Sequence, residues 1–487
     1  MAQFKEISPD APLGAKVGNW FHNRFPTAFD AYAKHMSQYY APKNFNYWYF
    51  FGSLALLALV IQVVTGIFLA MNYKPDATPG AAGVPLAFAS VEYIMRDVAG
   101  GWFIRYMHSN GASAFFIVVY LHMFRGLLYG SHRKPRELVW LFGCAIFLCL
   151  MAEAFMGYIL PYGQMSYWGA SVIVNLFDAI PFIGPDLSLY IRGDYVVSGA
   201  TLGRFFSFHV VAVPLVLIGL VVAHLLALHD VGSNNPDGVE IKEGPKGNRW
   251  SPDAPADGIP FHPYYSVHDI VGVCVFLLVF FAVVFFAPTG GGYFIESNNF
   301  IPADPMVTPA HIAPVWYFTA FYAMLRAVND MMVNVLLAVL ALGTVLALLG
   351  RWSIVGKIVL VVVALAVGFL LKYWDAKFWG VVVMGGAVVT LFCLPWLDCS
   401  PVKSIRYRPG WHKWVIAVFV VSFLLLMWLG IILPGPLSPN PKLGWFTNEF
   451  ISMILTLIYF AFFWLMPWWS RLGQCKQPPA RVTFKPH

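Results

Sequence analysis

The chain has 487 residues, of which 59% are hydrophobic and only 11% charged, with a formal net charge of +7. A charged share this far below the soluble norm excludes a soluble globular domain and points to a polytopic membrane protein. The six cysteines, at 144, 149, 274, 393, 399 and 475, form neither C-x-x-C nor C-x-x-C-H, which speaks against disulfides, a thiolate zinc site and covalently attached c-type haem.

The N-terminal stretch "MAQFKEISPDAPLGAK" has no apolar run, so the first true span is expected to act as the insertion signal. Crossing the hydrocarbon takes roughly 20 mostly apolar residues. Such runs lie near 48–70, 110–130, 138–158, 205–228, 270–287, 331–350, 354–374, 378–397, 413–433 and 450–469. The reading is an all-α protein of about ten spans, with long connections at 71–109, 159–204, 229–269 and 288–330. The aromatic segment 316–328 is expected in or near the membrane interface without spanning. Ten spans put both termini on one side, and that side carries 22 of the 31 Lys and Arg residues. The positive-inside rule then makes it the cytoplasmic side. The net charge follows from this asymmetry and gives no reason to expect a nucleic-acid partner.

Histidines interrupt two apolar runs. "MHSNGASAFFIVVYLHMFRG" places His108 and His122 fourteen residues apart, and "FHVVAVPLVLIGLVVAHLLALHD" places His209 and His224 fifteen apart. At about 100° per residue each pair returns to within roughly 40–60° of one helix face, some 21–22 Å apart along the axis. Two facing helices so marked suit two metal centres at two depths, since neutral imidazole binds haem iron. The competing reading is histidines that hydrogen-bond between helices or line a polar cavity. Gly52 and Gly66 on the first span, and Gly143 and Gly157 on the third, repeat the fourteen-residue interval. Glycine there clears space for a flat macrocycle, or serves ordinary small-residue packing. Arg105, Arg125 and Arg204 stand near the histidines as partners for haem propionates, or as interfacial anchors.

These residues, with "NGASAFF", "AFMGYILPYGQMSYWGASVI", "TLGRFFSFH", "HDVGSNNP", "IPFHPYYS", "TPAHIAPVWYF" and "SPVKSIRYRPG", resemble the cytochrome b subunit of respiratory ubiquinol–cytochrome c reductases (complex III). The likeness runs from about 45 to 326 and from about 375 to 470, in the unsplit bacterial-type form. It implies a cytoplasmic segment 1–46, a di-haem four-helix bundle at 47–230 and a cytoplasmic connection at 231–269. The fifth span and quinol-site loop follow at 270–330, three C-terminal spans at 375–470 and a cytoplasmic tail at 471–487.

The resemblance also implies two b-type haems, the low-potential one on His108 and His209 and the high-potential one on His122 and His224. It places an inner quinone site on His229, Ser233 and Asp269, and a quinol-oxidation site that includes Tyr162, Trp316, Tyr317 and Tyr322. Ubiquinone or a related quinone would be the substrate. A Rieske iron–sulfur protein and a c-type cytochrome would be the partners, in a homodimeric complex of the bacterial inner membrane. A di-haem quinone-reactive anchor of a dehydrogenase or hydrogenase is the alternative, and it would not require "PVWY" or "GSNNP".

Four departures from the family pattern stand out. The fifteen-residue interval on the fourth span is one longer than usual, a misfit that a kink at Pro214 is expected to absorb. His268 stands where lysine is common, beside Asp269. Segment 331–374 reads as a two-helix insertion. Val315 replaces the glutamate of the usual "PEWY", so another proton acceptor is expected. Glu153, the acidic residue inside the third span, is the first candidate, and Glu296 in the following outer loop is its rival.

Overall fold

The computed structural model describes residues 7–80, 83–241, 257–350, 353–440 and 444–483. Helix dominates because an apolar run in a bilayer must satisfy its backbone groups within its own segment. The long helices are α1 (Phe50–Ala70), α2 (Gly101–Tyr129), α3 (Glu137–Ile159), α4 (Gly199–Val231), α5 (Ser266–Phe286), α6 (Asp330–Leu348), α7 (Ile354–Tyr373), α8 (Ala376–Leu397), α9 (Gly410–Ile431) and α10 (Asn448–Trp464).

Among the described residues, nine of these are long and apolar enough to cross a membrane. The tenth differs from expectation. α10 has 17 residues, a rise of about 26 Å against roughly 30 Å of hydrocarbon. The run to 469 is completed by a separate turn, Met466–Trp469, because Pro467 has no N–H with which to continue the ladder.

α1 packs along α2, α3 along α4, and α5 against α1 and α2. α6 and α7 start on side-chain caps, Asn329 accepting from the Met332 amide and Ser353 from the Gly356 amide, each cap worth about 1 kcal/mol. These two helices pack on each other and attach to the body through Met332, Val333 and Leu371. Val345, Leu346, Ile354, Val355 and Leu365 point away from it, exposed.

Segment 316–328 forms no membrane-spanning helix. A turn at Trp316–Phe318 leads into the short helix Thr319–Arg326, which packs against α8, α9 and α10. Ala320, Ala323 and Met324 are wholly buried there.

α4 is not a uniform helix. Its first part, Gly199–Ser207, passes through a π-helical turn at Phe208–Ala212 before Val213–Val231 resumes the α form. A π turn takes up one extra residue. The fifteen-residue interval between His209 and His224 is therefore accommodated at the His209 turn. Pro214, in the first turn of the resumed helix, is not the main device. It instead explains the location, since proline cannot donate to the Val210 carbonyl and the wider turn removes that clash.

Polar side chains close the bundle at its His122/His224 end. Strand β1 (Tyr40–Pro42) pairs antiparallel with β2 (Gly258–Pro260), Ala41 opposite Ile259. Buried Asp237 takes hydrogen bonds from Asn44 (2.9 Å), Tyr407 (2.9 Å), Arg406 (3.1 Å) and the Thr483 amide (2.8 Å). It thereby ties four distant stretches of chain together. Glu240 bridges Arg136 (2.7 Å) and Lys403 (2.6 Å). Burial alone would raise Glu240, but these hydrogen bonds and charges outweigh it and hold the carboxyl at about 2. Asp398 is pushed up by burial and then held well below the usual carboxylate range by Arg408 and His132.

Candidate functional site

The four span histidines come together in pairs. The ring centres of His108 and His209 lie 6.1 Å apart with planes at 89°, and those of His122 and His224 lie 6.4 Å apart at 62°. Imidazole–metal bonds of about 2 Å on either side of an iron place two ring centres roughly 6 Å apart. Both gaps thus have the size for one six-coordinate iron.

Each ligand is backed by one of the four glycines. A Cβ on Gly66 would stand 3.2 Å from His108 Cε1, on Gly52 3.3 Å from His122 Cε1, on Gly143 3.5 Å from His224 Cε1 and on Gly157 2.5 Å from His209 Cε1. The glycine interval therefore clears the imidazoles themselves. The physical reason is that α1 packs on α2 and α3 on α4, so each glycine faces the histidine of its own packing partner.

Hydrogen bonds fix two of the rings. Thr65 Oγ1 donates to the Ile61 carbonyl (2.6 Å) and lies 2.9 Å from His108 Nδ1, so the ring nitrogen is the donor in that contact. His209 Nδ1 donates to the Glu153 carbonyl at 3.0 Å. With Nδ1 protonated, Nε2 keeps its lone pair for a metal. Arg125 Nη2 approaches His122 Nδ1 at 3.4 Å, and its Nε is buried without a hydrogen-bond partner, as suits a guanidinium awaiting an anion. Among the described residues, Arg105, Arg125 and Arg204 form no ion pair with a carboxylate. Arg204 instead donates to the Tyr190 carbonyl beside Gly193.

Beyond the His122/His224 end, His229 Nδ1 lies 2.9 Å from His35 Nδ1, with ring centres 4.8 Å apart. Tyr39 packs on His229 at 4.4 Å, and its hydroxyl lies 3.0 Å from Ser233 Oγ. His268 sits against Phe50 at 4.5 Å, and Asp269 lies beside Ser53 and His268. The turn that leads into α5 reaches Tyr39 through Phe261 (6.0 Å), so both groups of residues share this end of the bundle. Sequence reasoning missed His35. It sits in a short π turn, Ala33–Ser37, in a segment with no apolar run to single it out.

At the opposite end an apolar pocket opens between α3, the helix Gln164–Val174 and the "PVWY" turn, with Phe155, Tyr158, Ile159, Pro314, Val315 and Phe318 in its wall. The four residues expected there are not among those lining its wall. Trp316 donates to Ser113 Oγ (3.1 Å), Tyr317 stacks on Phe116 (4.0 Å), Tyr162 donates to the Val197 carbonyl (2.7 Å) and Tyr322 lies under the Arg326 guanidinium (4.8 Å).

Glu153 does not reach this pocket. Its Oε1 is 3.0 Å from His209 Nδ1. On α3, residue 155 is rotated by about 200° from residue 153, so the pocket wall and Glu153 occupy opposite faces. Glu296 is the acidic group beside the pocket, accepting from the Tyr158 hydroxyl at 2.7 Å. Burial raises its carboxyl above the ordinary value against that bond.

Residues 36–232 match the family model "Cytochrome b/b6/petB", and residues 302–355 and 364–460 match "Cytochrome b(C-terminal)/b6/petD". The chain is 57% identical over 465 residues to cytochrome b of Allochromatium vinosum, covering 96% of this chain and 98% of that one. It is 42% identical over 448 residues to cytochrome b of Rhodobacter capsulatus, covering 92% and 89%. A chain of a solved structure described as "Hyperthermophilic respiratory Complex III" superposes with a TM-score of 0.71 at 32% identity, covering 92% of this chain and 97% of that one. The chain is therefore a member of the cytochrome b family, of the kind found in respiratory complex III.

Proposed function

We propose that the chain is the catalytic cytochrome b of a quinol–cytochrome c oxidoreductase, oxidising quinol at the outer face of the bacterial inner membrane and reducing quinone at the inner face. The observation that carries this reading is the pair of histidine gaps, 6.1 and 6.4 Å between ring centres, each ligand backed by a glycine. His108 and His209 would hold the low-potential haem, and His122 and His224 the high-potential one. Bound there, two b haems supply one-electron transfer across the membrane. Thr65 and the Glu153 carbonyl orient two of the ligands by their Nδ1–H bonds, and Arg105, Arg125 and Arg204 would meet the propionates.

The pocket at Val315 takes the quinol. Its apolar wall excludes water, and Glu296, paired with Tyr158, accepts the proton that Val315 cannot. A raised carboxyl pKa suits that task near neutral pH. One electron leaves through a Rieske iron–sulfur partner towards a c-type cytochrome, in a homodimeric complex. The other crosses the bundle to a quinone, ubiquinone or a relative of it, bound by His229, Ser233, Asp269 and His268. Protons released outside and taken up inside contribute to the proton gradient, with both termini in the cytoplasm.

A reduced-minus-oxidised spectrum of membranes containing the complex should show b-type haem. His122→Ala or His224→Ala should remove one haem and leave the other. Absence of b-type bands, or two six-coordinate haems per chain after either substitution, would refute the assignment.

A further inference from the structure

We propose that His35 is a positioning residue for His229 that also passes it the proton used in quinone reduction. The inference rests on the inner quinone site proposed above and extends it to a residue of the N-terminal segment.

The geometry is specific. Two Nδ1 atoms 2.9 Å apart must share one proton, because imidazole nitrogens attract only when one donates and the other accepts. The rings are within 23° of parallel, with their centres 4.8 Å apart. Both Nε2 atoms are then free of this bond, one at either end of a two-ring chain. His35 is held in place by the fold. Its turn packs on the Phe261–Tyr265 turn, and the β1–β2 pair anchors the chain five residues on. Tyr39 braces His229 from the side, at 4.4 Å. The charged groups facing His229 are Lys34 on the N-terminal turn and Asp230 on its own helix. His35 itself is partly exposed, so its far nitrogen can take a proton from water.

The step balances as follows. Quinone takes two electrons, supplied one at a time through the bundle, and two protons to become quinol. For one of these protons, the His229 Nε2–H bond breaks as an O–H bond forms on a quinone carbonyl oxygen. His229 Nδ1 then takes the proton from His35 Nδ1, and His35 Nε2 takes one from water. Both rings return to neutral, with tautomers exchanged. Rotation of the rings, or return of the proton along the same path in the reverse reaction, resets them. The second proton is left to Asp269 and His268.

The test uses the whole complex with the quinol-oxidation pocket active, following reoxidation of the His122/His224 haem by added ubiquinone. If the wild-type complex shows no quinone-dependent reoxidation, the proposed function fails, whatever His35 does. If it does, His35→Ala should slow that step about tenfold or more, and imidazole added to the medium should restore it. His35→Asn keeps a hydrogen-bond partner for His229 and so separates positioning from proton transfer; it should be as slow as the alanine variant. A wild-type rate in either variant, or a loss that imidazole does not recover, would overturn the relay. Haem content confirmed in each variant guards against misassembly, and His35→Asn supplies the answer if His35→Ala fails to assemble.

Discussion

Gly157→Ala is the sharpest perturbation of the haem assignment. A methyl at residue 157 would lie 2.5 Å from His209 Cε1, 2.9 Å from Nε2 and 3.0 Å from Nδ1. Ordinary carbon contact begins near 3.5 Å, so the imidazole must withdraw by about 1 Å. A free histidine could swing away, but one ligated through a bond of about 2 Å cannot retreat that far and stay bound. Withdrawal would also break the 3.0 Å bond from Nδ1 to the Glu153 carbonyl. The helix itself does not suffer, since alanine is favoured over glycine by about 1 kcal/mol in a helix interior. The expected phenotype is therefore a stable, membrane-inserted protein lacking the His108/His209 haem. Gly143→Ala is the internal control, because its methyl would stand at 3.5 Å from His224 Cε1, an ordinary contact, and both haems should remain. The assay is haem stoichiometry together with low-temperature difference spectra, which resolve the two haems. Two unperturbed haems in Gly157→Ala would refute the reasoning.

Glu296→Gln should depress quinol oxidation and remove its dependence on an ionisable carboxyl, while Glu153→Gln should leave the pH profile of that reaction alone; the opposite pattern, measured at constant haem content, would return the proton to α3. Glu240 has an ordinary value of 4.5 and a folded value of about 2, so its stabilisation is complete above about pH 4.5 and is lost as pH falls through 2. The contribution is no more than about 3 kcal/mol and smaller after allowance for partial exposure. Unfolding of wild type and Glu240→Gln in detergent across pH 7 to 2 should show the gap between them closing with acid, and a constant gap would count against the ion pairs. Deleting the helix pair 331–374, whose described residues contribute nothing to the histidine gaps or the pocket, should leave two haems bound; loss of haem would contradict its peripheral placement.

The sequence was most legible where one residue type had one physical use. Histidine in an apolar run is costly and therefore informative, and the two pairings of four histidines emerge from two intervals. Neighbour identity was less legible. The fourteen-residue glycine spacing told which face of each helix is bare, but not which imidazole of the neighbouring helix stands against each glycine. Glu153 shows the same limit more sharply: its helix was right, yet a rotation of about 200° separates it from the pocket wall. Burial of the helix Thr319–Arg326 depends on α8, α9 and α10 closing around it, a tertiary effect that an aromatic-rich composition does not reveal. His35 carried no local signal at all, because its contact with His229 spans 194 residues of chain.

The π turn at Phe208–Ala212 also bears on how such a chain tolerates insertion and deletion. One residue added to a uniform helix would rotate everything beyond it by about 100°, carrying His224 off the bundle axis and every lipid-facing side chain with it. Confined to one widened turn, the addition leaves the distal three turns in phase. Length between ligands is thus a poor ruler for recognising or redesigning this helix. Removing one residue from 210–212 should restore an α turn and keep His224 facing His122, whereas the same deletion after Pro214 should not.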